Sequence, residues 1–583
     1  MSYLYTISTV ALFIFFILIK KSEKKQNLII WISLSIMLIM CYNIIIALAC
    51  FFVKFKYTVQ VLIIMNILVS TILAIIILKK KTYQKYFVRK RDLLFCIIAL
   101  IITLVIQYIR CGWPINIKYY VTDSAVHYKA TINSYNNNNS VLNFNKYILG
   151  EHGFNNSFMT GHYINCGLFI LIFSKICSVD KFYILYIIFE TIIFYISFIL
   201  MYILLLNLKE NKISYIISIV LSIIYNLAYP LNSMIAGFQY LSVGLNLILL
   251  FFILTIMHSK KIISSTFFAI LMSLVSFGIF FSYYLFIPII YVTFLVNMFI
   301  ELRKKEVTKI EFLYIVMYDI ILPSICGFTY FILYPKLTTN YVPAQSINVY
   351  GGIYDKILSN FALFIPIIIY YFSQKNKKIY VLTSLIPNLI FLIGFAIFNY
   401  AGYISRYYYI KLYYIMWIPC IIITYEVLNI LIAKNKKIFY LIICAIILVI
   451  FLNYSVLNNY GKIFDIYEFN FNIIKSLDYS ITRDEVDFLE IIKKLDIDKK
   501  NVNIYFNQNI VSLKWIGILL DNEIYLMFSE INDIDYWINE MEEEYLIIMK
   551  KDVDKEVLDS INKLKCQIIE ENDAGLLLKK INN

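Results

Sequence analysis

Apolar runs of roughly 17–25 residues, the length that crosses a bilayer as helix, recur along this chain and are broken by short basic loops. They lie near 3–19, 28–53, 58–78, 93–109, 182–206 and 213–229. Others follow near 235–257, 264–281, 284–301, 311–334, 356–373, 378–398, 410–432 and 438–454. One further run, "HYINCGLFILIFSKIC" at 162–177, is shorter. The loops decide how to count it. If it does not span, "KKSEKK", "KKKTYQKYFVRKR", "KENK", "SKK", "LRKKEVTK", "QKNKK" and "KNKK" all fall on one side, as the excess of Lys and Arg in cytoplasmic loops requires. Those loops hold 25 of the 37 basic residues that precede position 461. The pattern therefore predicts 14 spans, both termini outside, with 162–177 interfacial or re-entrant.

Composition agrees with that pattern. The chain has 583 residues, 61% hydrophobic and 15% charged, more apolar surface than a water-soluble fold can hide. The first run is followed, not preceded, by lysines and lacks a small-residue cleavage site, so it reads as a retained helix. The ten cysteines are scattered without a C-x-x-C pair, which speaks against zinc fingers and disulfide frameworks. The net charge of +14 hides an asymmetry: residues 461–583 carry 15 basic and 25 acidic side chains. Basic residues elsewhere punctuate apolar runs, so topology explains them and a nucleic-acid partner does not. In the acidic part, "TRDEVDFLEIIKKL" predicts a helix capped by Thr482, and "VNIYFN", "EIYLMF" and "YLIIM" read as short strands. The helical pattern "VDKEVLDSINKL" separates such runs. The expectation is a polytopic α-helical membrane protein with a C-terminal extracytoplasmic α/β domain. Its parts are extra helices over 1–92, a transmembrane core over 93–459 with an outer loop at 110–181, and the soluble domain over 460–583.

Candidate chemistry concentrates in the outer loop. Three of the four histidines, His127, His152 and His162, lie there with Asp123 and Glu151. In "YVTDSAVHYK", Asp123 and His127 share a face if the stretch is helical, and Asp123 or Thr122 can serve as its cap. A helix cap with a surface histidine and a reactive pair both satisfy the spacing. Asp123, His127, His152 and His162 are also candidate ligands for a divalent metal, since carboxylate and imidazole suit Mn²⁺ or Zn²⁺. A later outer loop, "GYISRYYYIKLYYIMW", sets Arg406 and Lys411 among tyrosines. An aromatic belt with snorkelling cations is one reading, and phosphate binding by Arg406 and Lys411 is the other. Glu190, Asp319 and Glu426 are carboxylates inside spans, candidates for function by their cost alone.

These features together resemble the GT-C superfamily of integral-membrane glycosyltransferases, which draw on polyprenyl-phosphate-linked sugars. The resemblance covers roughly residues 93–583. A first core span (93–109), a long outer loop with an acid near its start (Asp123), an interfacial run (162–177), many further spans and a C-terminal outer domain occupy matching places. The pieces "TDSAVH" and "TGH" resemble poorly characterised bacterial members. Three extra spans precede the core, the membrane part contains no D-x-D pattern and the chain no W-W-D, and "YPLNSM" (229–234) lacks an acid. The resemblance implies transfer of a sugar from a polyprenyl-phosphate donor to a glycan, lipid or protein acceptor at the outer face of the cell membrane. It also implies Asp123 as general base oriented by His127, and Arg406, Lys411 and His162 as substrate or phosphate contacts, with Arg110 a further possible cation. A glycolipid or polysaccharide transporter, and a glycan polymerase or ligase, are the alternative readings.

Overall fold

A computed structural model of the chain describes residues 2–19, 25–80, 83–136, 160–209, 212–333, 354, 360–361, 364–375 and 378–434 of the membrane part. Of the C-terminal part it describes 465–495, 497, 502–505, 510–520, 544–553, 558 and 566–581. The expected span 438–454, the strand "EIYLMF", most of the helix "VDKEVLDSINKL", His152 and nearly all of loop 335–355 lie outside these residues.

Ten helices among the described residues are long and apolar enough to cross a membrane. The first five begin at Leu28, Val59, Lys90, Phe182 and Ile213; the others begin at Gln239, Ser265, Lys309, Ile379 and Arg406. Ten is fewer than the 14 expected, for identifiable reasons. Ser2–Leu18 is an apolar helix of 17 residues that packs on Val59–Lys80, and of the expected span 356–373 the described residues are 360–361 and the helix Phe364–Ser373. The expected pair 264–281 and 284–301 is one stretch of 39 helical residues. At ~1.5 Å per residue that is roughly 58 Å, about twice the thickness of a bilayer core. It divides at Tyr283, whose backbone (φ −159°, ψ 89°) leaves the helical region, into Ser265–Tyr283 and Ile287–Arg303. The run 162–177 forms the short helix Thr160–Phe173, below spanning length as its sequence suggested.

The Gln239–Ser259 helix lies wholly inside the bundle, between Phe182–Leu208 and Ser265–Tyr283. At the rim, Lys90–Cys111 turns Leu93, Leu94, Ile97, Leu100, Ile101 and Leu104 outward, as a helix in lipid can without penalty. One pair of opposite charges is matched inside the bundle. Arg110, at the end of that helix, donates from Nη1 to Glu190 at 2.7 Å, and Tyr119 donates its hydroxyl to the same oxygen at 3.2 Å. Both partners are buried, and one removed would strand the other's charge.

The C-terminal part forms helices and a small sheet. Thr482 caps Arg483–Lys494 as expected, in a reciprocal arrangement with Glu485. Val502–Ile504 runs parallel to Tyr545–Met549, which pairs antiparallel with Gly575–Lys580. Cys566–Glu571 completes the sheet on the far edge as the hairpin partner of Gly575–Lys580, a strand pair the sequence reading omitted. This part is stitched to the membrane bundle. Ile117 and Ile481 form an antiparallel bridge, Lys118 donates to the Ile474 carbonyl at 2.7 Å, and Arg483 N–H donates to Asn116 at 2.8 Å. All three clamp the segment that leads into Asp123.

Candidate functional site

Asp123 is the first residue of the helix Asp123–Asn136. The next two backbone N–H groups, of Ser124 and Ala125, donate to the carbonyls of Val121 and Thr122. Among the described residues no hydrogen bond reaches the Asp123 carboxylate, so capping is not what this side chain does. The start of the helix is instead held from outside. Gly237, at φ +77°, lets its backbone approach so closely that an added Cβ would stand 2.4 Å from the Ser124 Cβ. Trp515 donates its indole N–H to Ser124 Oγ at 3.1 Å, and its ring stacks on Tyr119 and Tyr128.

Released from capping, the half-buried Asp123 carboxylate interacts with Lys411 and Lys514. Burial pushes its acidity towards weaker acid, and the two lysines pull the other way. Tyr163, Tyr240 and Tyr407 also feel its charge. Lys411 lies inside the protein, 1% exposed, and donates from Nζ to the Tyr240 hydroxyl at 3.0 Å. Its Nζ stands 3.9 Å from the centre of the Tyr407 ring and 5.0–5.4 Å from those of Phe238, Tyr240, Tyr283 and Tyr408. Such a cage offers a desolvated amino group the negative faces of several rings in place of water.

His127 is not the partner of Asp123. Its Nδ1 is 2.8 Å from the Tyr163 hydroxyl, its ring packs 4.9 Å from that of Tyr240, and its Nε2 meets no partner among the described residues. Burial pushes the imidazole down to about 3, with Lys411 adding to the effect, so it is neutral at physiological pH. His162, fully buried one residue before Tyr163, packs against the rings of Tyr163 and Phe189, and among the described residues neither of its nitrogens has a partner. Arg406 heads the Arg406–Lys434 helix and is exposed, whereas Lys411 is enclosed. Arg110 is committed to Glu190 and is no spare cation. Among the described residues no three His, Cys, Asp or Glu side chains gather to hold a metal, so the proposed set is not assembled there.

No protein-family model matches the chain, and neither does any curated protein. The site stands on its own geometry.

Several residues that build it carried no advance signal. Asn232, in the acid-free "YPLNSM" turn, accepts from Tyr120 at 3.3 Å and Tyr414 at 2.6 Å while donating to Asn470 at 2.9 Å. Asn470 in turn donates to the carbonyls of Leu227 and Ala228. One side-chain amide thus joins the Asp123 approach, the Lys411 helix and the C-terminal part. Tyr163 stands beside a residue singled out from the sequence, and Tyr407 lies in the aromatic run around Lys411. Tyr240 is one of 51 tyrosines and nothing in its neighbourhood marks it.

Proposed function

We propose that this chain is a membrane glycosyltransferase, moving a sugar from a polyprenyl-phosphate-linked donor to an acceptor at the outer face of the membrane. The observation that carries the reading is the Asp123 carboxylate, unengaged by any hydrogen bond among the described residues, beside a caged Lys411 and several tyrosines. Displacement at an anomeric carbon needs a base for the acceptor hydroxyl and positive charge for the departing phosphate. Asp123 serves as that base. Lys411 supplies charge close to it, and exposed Arg406, about one and a half helical turns earlier, meets the lipid phosphate at the surface. His127 acts through Tyr163, as a neutral imidazole that fixes the phenol, and not by orienting Asp123. The basic-loop asymmetry puts this site, and the C-terminal part that braces it, outside the cell, with 14 spans in all.

The test is transfer by purified protein from a panel of polyprenyl-phosphate sugars to lipid, glycan and peptide acceptors, with Asp123→Asn alongside. Transfer from one donor, lost in Asp123→Asn, is the expected result. Equal transfer by the variant removes Asp123 as base, and no transfer from any donor removes the reading.

A further inference from the structure

The Lys309–Leu333 span holds a carboxyl that the Asp123 site does not use. Its charged start is fixed by Thr308 and Glu311, which cap each other's backbone. Asp319 follows ten residues after Lys309, at ~1.5 Å each roughly 15 Å in, near the middle of a ~30 Å bilayer core. There the helix widens into a π-turn, Met317–Ile321, and Ser273 from the Ser265–Tyr283 helix donates to the Tyr318 carbonyl at 3.0 Å. The widened turn keeps Met317, Tyr318 and Leu322 facing outward while Asp319 is completely buried. Such turns disturb regular helix and recur where a side chain has to be aimed.

What surrounds Asp319 sets it apart from the other acids in spans. Glu190 has Arg110 and Glu426 has Lys378 at 2.8 Å. Among the described residues neither oxygen of Asp319 has a hydrogen-bond partner, and no charged group acts on it. Tyr291, from Ile287–Arg303, is the neighbour that interacts with it, itself near Ser276 and Ser324. Other titratable groups on the packed elements are Tyr283, Tyr314 and Cys326, or sit at helix ends, as Glu301, Arg303, Lys309 and Glu311 do. A lone carboxylate here would face the full cost of a buried ion, and a carboxyl in that position keeps its proton.

We propose that Asp319 is a proton-binding site in the middle of the membrane, a carboxyl that holds one proton inside the helix bundle, with Tyr291 of the neighbouring helix beside it. It is a place for a proton to reside within the bilayer, separate from the outer site.

Infrared spectra of the protein in vesicles test this, because the C=O stretch of a protonated carboxylic acid stands clear of the carboxylate bands. Wild type at neutral pH should show such a band, Asp319→Asn should lack it, and Glu190→Gln should retain it. No difference between wild type and Asp319→Asn overturns the proposal. So does a band present in choline buffer and abolished by sodium, which would make the ligand a metal cation. Should Asp319→Asn not fold, N,N′-dicyclohexylcarbodiimide on wild type replaces it. The acid's proton passes to a carbodiimide nitrogen and the carboxyl oxygen bonds the central carbon, followed by rearrangement to a stable N-acylurea with nothing released. Peptide mapping should place the adduct on Asp319 and not on Glu190, and an Asp319 peptide without adduct overturns the proposal.

Discussion

Trp515 and Ser124, 391 residues apart, are joined by an indole-to-hydroxyl hydrogen bond of 3.1 Å. The residue before each is a charged one: Asp123 and Lys514, which interact. The C-terminal part thus both braces the candidate base and adds charge beside it. Trp515→Phe should keep the ring stacking on Tyr119 and Tyr128 and lose only the hydrogen bond, for about 1 kcal/mol. Trp515→Ala should cost about 3–5 kcal/mol. Thermal unfolding in detergent measures both, and equal losses would mean the stacking contributes nothing.

Asp123→Asn should leave stability unchanged or slightly raised at pH 7. Burial raises the native carboxyl above its unfolded value, so the native state binds more protons than the unfolded one. Stability therefore declines as pH rises from the unfolded value through the native one, and the amide escapes that decline. Activity should vanish all the same. A variant that is both inactive and clearly destabilised would point to a structural role.

His127 has the opposite linkage. Its native value of about 3 lies below the unfolded one, so its contribution to stability is complete above about pH 6.5 and is lost as pH falls towards 3. Chemical denaturation between pH 4 and 7 should show a shallower loss in His127→Gln than in wild type. In the same variant, the activity profile above pH 5 should keep its shape while its height drops.

Lys411 and Arg406 should separate in kinetics. Lys411→Met preserves most of the volume inside the cage but removes the charge, and should lower turnover about 100-fold, the scale of a lost electrostatic group in an active site. Arg406→Ala should raise the donor KM more than it lowers kcat. The reverse ranking would make Arg406, and not Lys411, the charge that acts on the departing phosphate in the transition state.

Sidedness can be read with an impermeant thiol reagent on a cysteine-free background. New cysteines at 137 and 345 and within 480–583 should label in intact cells, while those at 86 and 305 should not. Labelling at 305 but not at 345 would invert the proposed orientation.

What the sequence disclosed follows a physical divide. Spans and caps are local, so the Leu28–Phe52 helix and the Thr482–Glu485 box were legible in a few neighbouring residues. Ser265–Arg303 was read as two runs, 264–281 and 284–301, and the chain divides there at Tyr283. The site was legible only as a neighbourhood. Four-residue spacing suggested that Asp123 and His127 serve each other, yet the helix starts at Asp123 and turns its carboxylate towards Lys411, while His127 meets Tyr163. Those pairings are set by how separate helices approach, through contacts such as Gly237 on Ser124 and Asn232 on Asn470. No spacing rule within one segment encodes them.

The bridge between Ile117 and Ile481 and the bond from Trp515 to Ser124 also impose a timetable. A chain made at ~5–20 residues per second has its Asp123 segment synthesised roughly 20–80 s before Trp515 exists. During that interval the early helices are already inserted, and the carboxylate has no brace and no Lys514. Brace and charge therefore reach the Asp123 segment only after every described membrane helix has been made.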